Sequence, residues 1–211
     1  MRLAIPATSK FIIESKSLKL YLNSFNFSEF QSVEEVKNTI EQDLSNALQT
    51  QVIAEIFSIN DNENLAISQV DGICIDDSLN QSDKKIAIVD DVNADMLTNA
   101  SDTISKQSYH SHLLRSNCPV TNQPDWATVQ IDITSAEIDK ASLLEYILTY
   151  RQHNGFHEQC VEQIFADLTQ KFAPTQLMVR AWYTRRGGID INPCRVSHSE
   201  LMPTPSRLIR Q

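Results

Sequence analysis

Apolar side chains recur at helical spacing in four stretches of the chain. Leu18, Tyr21, Leu22 and Phe25 share one face of a helix predicted over residues 14–25, because a 3.6-residue period stacks such positions in a stripe. Val36, Ile40, Leu44 and Leu48 form a second stripe, with Ser32 before it as N-cap and Glu35 as its capping-box partner. Leu143, Leu144, Ile147 and Leu148 line a third helix. Val161, Ile164, Phe165, Leu168 and Phe172 line a fourth, and Cys160 borders that stripe as a core residue.

Strands show as alternation. Ala127, Val129, Ile131 and Ile133 alternate with Thr128, Gln130, Asp132 and Thr134, the period of a half-buried antiparallel strand. Residues 176–184 read as another strand, pairing with residues 189–196 across the Gly187-Gly188 turn. Residues 65–70 and 85–89 are weaker candidates. Residues 90–107 are polar and without period, which predicts a linker.

The helical stretches repeat. Leu18, Tyr21 and Leu22 align with Leu143, Tyr146 and Ile147, and Val36 and Ile40 with Val161 and Phe165. Residues 51–57 align with 176–182, all at one offset of 125. A gap-free register of this kind is the trace of a duplicated module; two unrelated amphipathic helix pairs are the alternative. The copies are unequal, since a strand precedes the second helix pair while few residues precede the first. The chain is therefore read as α+β in two domains, residues 1–92 and 93–211, the first incomplete at its N-terminal side.

Composition narrows the function classes. Eighteen basic against 27 acidic residues give a net charge of −9, which argues against a broad nucleic-acid footprint. No apolar run reaches membrane-spanning length, and no signal peptide is evident, so the expected setting is a reducing cytoplasm with free thiols. Cys74, Cys118, Cys160 and Cys194 show no CxxC pair and no zinc-ligand spacing, so no metal is expected. With only four glycines the chain has no Gly-rich dinucleotide or P-loop fingerprint.

Chemistry concentrates around Cys118. It stands among turn-forming residues, with Pro119 and Pro124 stiffening the loop and Asp125 seven positions on. An accessible thiol beside an acid suits nucleophilic catalysis; a buried cysteine would need an apolar pattern that is missing here. Phe156, His157 and Glu158 stand together at a helix entrance, offering a ring face, a proton carrier and an acceptor-only carboxylate. Glu158 either complements the helix dipole or pairs with the ring N–H and amine of a purine-like base. Glu14, Ser15, Lys16 and Lys19 open the first helix as a solvated face or as a site. Arg180, Arg185, Arg186 and Arg195, with Gly187, form either a phosphate clamp or a charged edge strand.

At these residues the chain resembles the NADPH-dependent 7-cyano-7-deazaguanine reductases, the nitrile reductases of queuosine biosynthesis, and within them the long, two-module branch. Residues 14–21 resemble the signature that separates this family from GTP cyclohydrolases. Residues 116–126 resemble its nucleophile loop, residues 156–158 its base-binding motif, and residues 183–189 its C-terminal hairpin. The resemblance covers residues 5–196. It implies tandem tunnelling-fold modules, antiparallel sheets with paired helices on one face, that assemble into homodimers or higher homo-oligomers. It implies a small deazapurine substrate and NADPH as cofactor. It further implies Cys118 as nucleophile, Asp125 as proton donor and His157 as a second proton carrier. Glu158, Phe156, Glu14 and Ser15 become substrate residues, and Lys16, Lys19, Arg185, Arg186 and Gly187 cofactor residues. Two alternatives stay open: an amidine-forming transferase of the same fold acting on a tRNA-bound nitrile, and a non-catalytic purine-binding or assembly protein.

Overall fold

The computed structural model describes residues 1–61, 63–64, 66–80 and 91–211. Its contacts divide into two units: Met1–Ala66 with Gly187–Ile189, and Ile67–Arg186 with Asp190–Gln211.

In the first unit β1 (Arg2–Ala4) precedes α1 (Ser15–Ser24), α2 (Val33–Leu48) and β2 (Ile53–Glu55). β1 runs antiparallel to β2, pairing Arg2 with Glu55. Each helix begins as its sequence dictates. Glu14 caps α1 by accepting from the N–H groups of Lys16 and Ser17, both at 2.8 Å. Ser32 caps α2 by accepting from the Glu35 N–H at 3.1 Å. The Glu35 carboxylate reaches back one residue further than a capping box requires, to the N–H of Gln31. Gln49 ends α2 in the left-handed conformation at φ 54°, which frees the last carbonyls to bond the following chain. Leu18, Ile40, Leu44, Leu48, Val52 and Ala54 form the core, with Val36, Tyr21, Leu22 and Phe25 packed partly buried around it.

The second unit contains β3 (Ile67–Ser68), β4 (Ile73–Cys74), β5 (Asn99–Asn117), β6 (Pro124–Ile138), α3 (Lys140–Leu148), α4 (His157–Phe172), β7 (Gln176–Tyr183), β8 (Cys194–Val196) and β9 (Arg207–Leu208). Its main sheet has the order β4-β5-β6-β7-β8. β4 lies parallel to β5, and the other neighbours are antiparallel. One sheet face carries Val129, Ile131, Ile133, Leu177, Val179, Ala181 and Tyr183. They join Leu143, Leu144, Ile147, Val161, Ile164 and Leu168 from the helices in one buried cluster. Each Val, Leu and Ile among them contributes roughly 1.5–3 kcal/mol on burial. No helix among the described residues is long and apolar enough to cross a membrane.

The structure corrects the sequence reading at four places. The predicted linker over residues 90–107 overlaps β5, which begins at Asn99. The first eight residues of β5 are exposed or half-buried, so they show no apolar alternation, while their backbone still pairs with the more buried β6. In the predicted strand over residues 189–196 the regular ladder begins at Cys194; before it, Pro193, lacking an N–H, and Ile191 still accept from the Ala181 and Tyr183 N–H groups through their carbonyls. Of residues 65–70 only Ile67–Ser68 form a strand, while residues 65 and 85–89 lie outside the described ones. Finally, the polar positions of β6 are not a solvent face. Thr128 and Gln130 are buried, Gln130 accepts from Arg180 Nη2 at 2.9 Å, and Arg180 stacks over Trp182. The C-terminal segment closes this face, with Trp182 Nε1 donating to the Ser206 carbonyl and Arg210 to that of His112.

Candidate active site

Cys118 lies at the closed end of the β5–β6 hairpin. The last strand pair is Asn117 with Pro124, and the Cys118 N–H then donates to the Gln123 carbonyl at 2.9 Å. Asn122 closes the turn at φ 55°, a conformation asparagine tolerates, and donates to the Cys118 carbonyl at 2.8 Å. A second weld ties this end of β5 to the approach to α4. Asn117 N–H donates to His153 and Gly155 N–H donates to Asn117, making a short parallel bridge. A Cβ on Gly155 would stand 2.7 Å from His153 Nε2, so a larger residue there would make the His153 ring shift. The two contacts fix the turn of Cys118 beside the helix start that carries Phe156, His157 and Glu158.

Beneath the turn sits a buried charged group. Asp125 pairs across the ladder with Ser116 and is only 2% exposed. His157, 8% exposed, places Nε2 at 3.3 Å from Asp125 Oδ2. Its ring stacks on Tyr183 at 3.8 Å between centroids and 7° between planes. Arg186 Nη1 sits 3.0 Å from Asp125 Oδ1 and directs its hydrogen to Oδ2 at 3.3 Å, while Nη2 donates to Gln123. A carboxylate this deep needs such a partner, since an unpaired buried charge costs several kcal/mol. Asp125 Oδ1 and His157 Nδ1 are nonetheless buried without a hydrogen-bond partner among the described residues. Buried polar atoms of this kind are rare in folded proteins and concentrate attention on this group.

The four thiols differ. Burial works to raise Cys118, yet the Thr121 hydroxyl and N–H, the Val120 N–H and the Arg186 guanidinium hold it below the usual thiol range. Burial pushes Cys160 up, despite Ser116 and Tyr183 beside it. Burial likewise carries Cys194 to about 11. Cys74 is raised by burial together with the Asp76 and Asp77 carboxylates. Of the four thiols, Cys118 is the one whose thiolate form is favoured.

Around this centre, Phe156 is 36% exposed at the cap position of α4, where Gln159 accepts from its N–H at 3.0 Å. Glu158 is half-buried in the first turn and has no hydrogen-bond or ion-pair partner among the described residues. Its acceptor sites are open to a ligand's N–H groups. Arg185 pairs with Asp190 at 3.0 Å, Arg195 with Glu162 at 2.5 Å.

The remaining candidates belong to the first unit. Both Glu14 oxygens are engaged by the start of α1, and Ser15 Oγ lies 3.4 Å from one of them. Lys16 and Lys19 are exposed three positions apart on α1. Gly187 turns at φ 58°, and a Cβ there would collide with Lys19 Nζ.

Known proteins similar to this chain identify its family. A family model described as "QueF-like protein" matches residues 124–201, and one described as "Nitrile reductase, 7-cyano-7-deazaguanine-reductase N-term" matches residues 1–56. The NADPH-dependent 7-cyano-7-deazaguanine reductase of Psychrobacter cryohalolentis is 59% identical across 100% of this chain and 76% of its own length. The chain belongs to this reductase family. The reductase of the same name from Acinetobacter baumannii strain AYE is 52% identical over 100% of this chain and 75% of that relative. Among solved structures, the archaeosine synthase QueF-Like in the apo form matches at a TM-score of 0.40 and 15% identity, covering 46% of this chain and 95% of that one.

Sequence reasoning about the reductase motifs missed three features. Arg186, expected at a cofactor, also pairs with Asp125 and helps to lower the Cys118 thiol. Tyr183, read as strand, is the plate under His157. Cys74, His110 and His112 offer donor atoms within 4.8 Å of one another, although 36 residues separate Cys74 from His110. The His-x-His alternation, which puts both rings on one strand face, was the available signal.

Proposed function

We propose that this chain reduces the nitrile of 7-cyano-7-deazaguanine to the primary amine, 7-aminomethyl-7-deazaguanine, through a thioimidate on Cys118. Membership of the reductase family supports the reaction and its NADPH dependence, and with them a place in queuosine biosynthesis. The observation that carries the covalent route is the lowered thiol of Cys118 above a buried Asp125–His157 contact with unsatisfied polar atoms.

The thiolate adds to the electrophilic nitrile carbon, forming the C–S bond as one C–N π bond moves its pair to nitrogen. Asp125 passes a proton to that nitrogen, giving the thioimidate, and His157 resupplies it across the 3.3 Å contact. Arg186 keeps the carboxylate compensated whichever partner holds the proton, and Tyr183 holds the imidazole plane. NADPH supplies a hydride to this carbon, and nitrile to amine requires two. Loss of the C–S bond between the two reductions returns the thiolate to Cys118. Glu158 binds the ring N–H and amine of the base as a bidentate acceptor, and Phe156 covers its face. For the phosphates of the cofactor, the collision that a Cβ on Gly187 would make with Lys19 supports a close cationic cradle. Lys16 and Lys19 are its candidate cations.

The paired-helix repeats support tandem tunnelling-fold modules, the second carrying the nucleophile loop, with self-assembly into homo-oligomers in the cytoplasm. Mixing the chain with the nitrile in the absence of NADPH tests the route. Intact mass should increase by the mass of one substrate, and Cys118→Ala should abolish both adduct and NADPH oxidation. Continued oxidation by that variant would end the thioimidate mechanism.

A further inference from the structure

Away from the Cys118 turn, β4 and β5 assemble a second set of chemistry-bearing side chains. Cys74 of β4 pairs in parallel register with His110 of β5. His112, two residues on, projects from the same strand face. One donor atom from each of the three lies within 4.8 Å of the others. In a tetrahedral zinc site, donor atoms stand roughly 3.5 Å apart, a closure of about 1 Å that side-chain rotation of partly exposed groups supplies.

The surroundings are those of ligands already oriented. His110 Nδ1 lies 3.1 Å from the Asp71 carbonyl, and His112 Nδ1 lies 2.9 Å from Thr128 Oγ1. Zinc-binding imidazoles use one nitrogen for the metal and fix the other by just such a bond; here Nε2 of each ring remains. The Asp76 carboxylate is held beside them, accepting from Ser111 Oγ at 2.6 Å and from the His112 N–H at 3.1 Å. Its negative charge favours a dication next to it. One thiol and two imidazoles form a borderline-soft donor set, suited to zinc over magnesium or calcium.

We propose that Cys74, His110 and His112 bind one zinc-class divalent cation, with water or an exogenous ligand in the fourth position. The site is separate from the reaction: His112 and Cys118 are six residues apart on one extended segment, about 20 Å at a strand's rise. Its role is to staple β4. That two-residue edge strand is otherwise held mainly by backbone bonds such as Ile75 N–H to the His110 carbonyl and by Asp76.

Cobalt(II) is the probe. The full chain, reduced and cleared of metal by a chelator, is titrated with Co(II) and followed by absorption. One equivalent should bind with a thiolate-to-metal charge-transfer band and intense d–d bands of a four-coordinate ion. Cys74→Ser should remove the charge-transfer band, and His110→Asn or His112→Asn should weaken binding at least ten-fold. Cys118→Ser should leave the spectrum unchanged. Zinc should raise the melting temperature of the parent chain and not that of Cys74→Ser, whose exposed position lets it fold. Absence of stoichiometric binding, a band that survives Cys74→Ser, or one lost with Cys118→Ser overturns the proposal.

Discussion

The two helix–helix–strand runs, offset by 125 residues, start alike and end differently. Acidic residues cap the first helix of each, Glu14 for α1 and Asp139 for α3, and a short 3-10 turn follows both helices. Yet α1 buries only Leu18, whereas α3 buries Ser142, Leu143, Leu144, Tyr146, Ile147 and Leu148. The strand after the second helix has three residues in one copy and eight in the other. A helix buries only the face that a sheet beneath it covers, and only the second copy has a five-stranded sheet. The difference extends to chemistry. α2 starts from a serine that bonds its own backbone; α4 starts from Phe156 and uses its first turn for His157 and Glu158. That start forgoes a side-chain cap, a cost of roughly 1 kcal/mol, and places His157 against Asp125 of the thiol hairpin.

The strongest attempt to break this asymmetry is Asp125→Asn. It keeps the shape of a buried side chain and removes the proton it passes. Steady-state NADPH oxidation should fall about 10²–10⁴-fold. A loss of only a few-fold would move proton transfer elsewhere.

Packing offers the next contrast. Leu144 is sealed between α3 and the sheet, and Leu144→Ala should destabilise by about 2–5 kcal/mol. Leu18, at the rim of its smaller core, should lose about 1–2 kcal/mol on the same change, because the site can relax toward solvent. Denaturant midpoints of the two variants measure both. Equal losses would mean that the first core is as constraining as the second.

These contrasts were unevenly legible from the amino-acid order. The four helices and β6 were written in apolar periods that local physics reads directly. The outer half of β5 was not, because residues 99–106 are polar or exposed and the ladder there is broken by register shifts, so no apolar alternation marks the strand. Asp125 and Cys118 lie within one hairpin and could be linked by spacing. Arg186 reaches them from 61 residues away, and only the β6–β7 pairing brings it there. The Cys74 cluster likewise depends on a two-residue parallel strand, too short to leave a sequence pattern. Long-range pairing of polar segments is where one-dimensional reading stops.

Electrostatics around the thiol gives a smaller, more selective test. Cys118 is held below the ordinary thiol range, so its alkylation by iodoacetamide should titrate at lower pH than a free thiol. The sign follows from the donors: removing one weakens the thiolate, so Arg186→Gln should move the inflection upward and slow the reaction near neutral pH. Cys194, carried to about 11, and buried Cys160 should stay unmodified over that range. An unmoved inflection would assign the thiolate to Thr121 and the turn N–H groups alone.

The smallest expected effect bears on the first copy. Glu14 is lowered first by the Lys16 N–H, with burial opposing and Ser17 and Ser15 adding to the decrease. A carboxyl whose folded value is depressed stabilises above its unfolded value and loses that contribution as pH falls through the folded one. Glu14→Gln should therefore cost up to about 1 kcal/mol at neutral pH, near the low end because the cap is solvated. The difference from the parent chain should vanish in acid. Melting curves at neutral and acid pH resolve it. NADPH turnover should follow stability alone if Glu14 is only a cap. A collapse of turnover with melting unchanged would give the first copy a share in substrate binding, and the asymmetry between the copies would then be one of packing and not of chemistry.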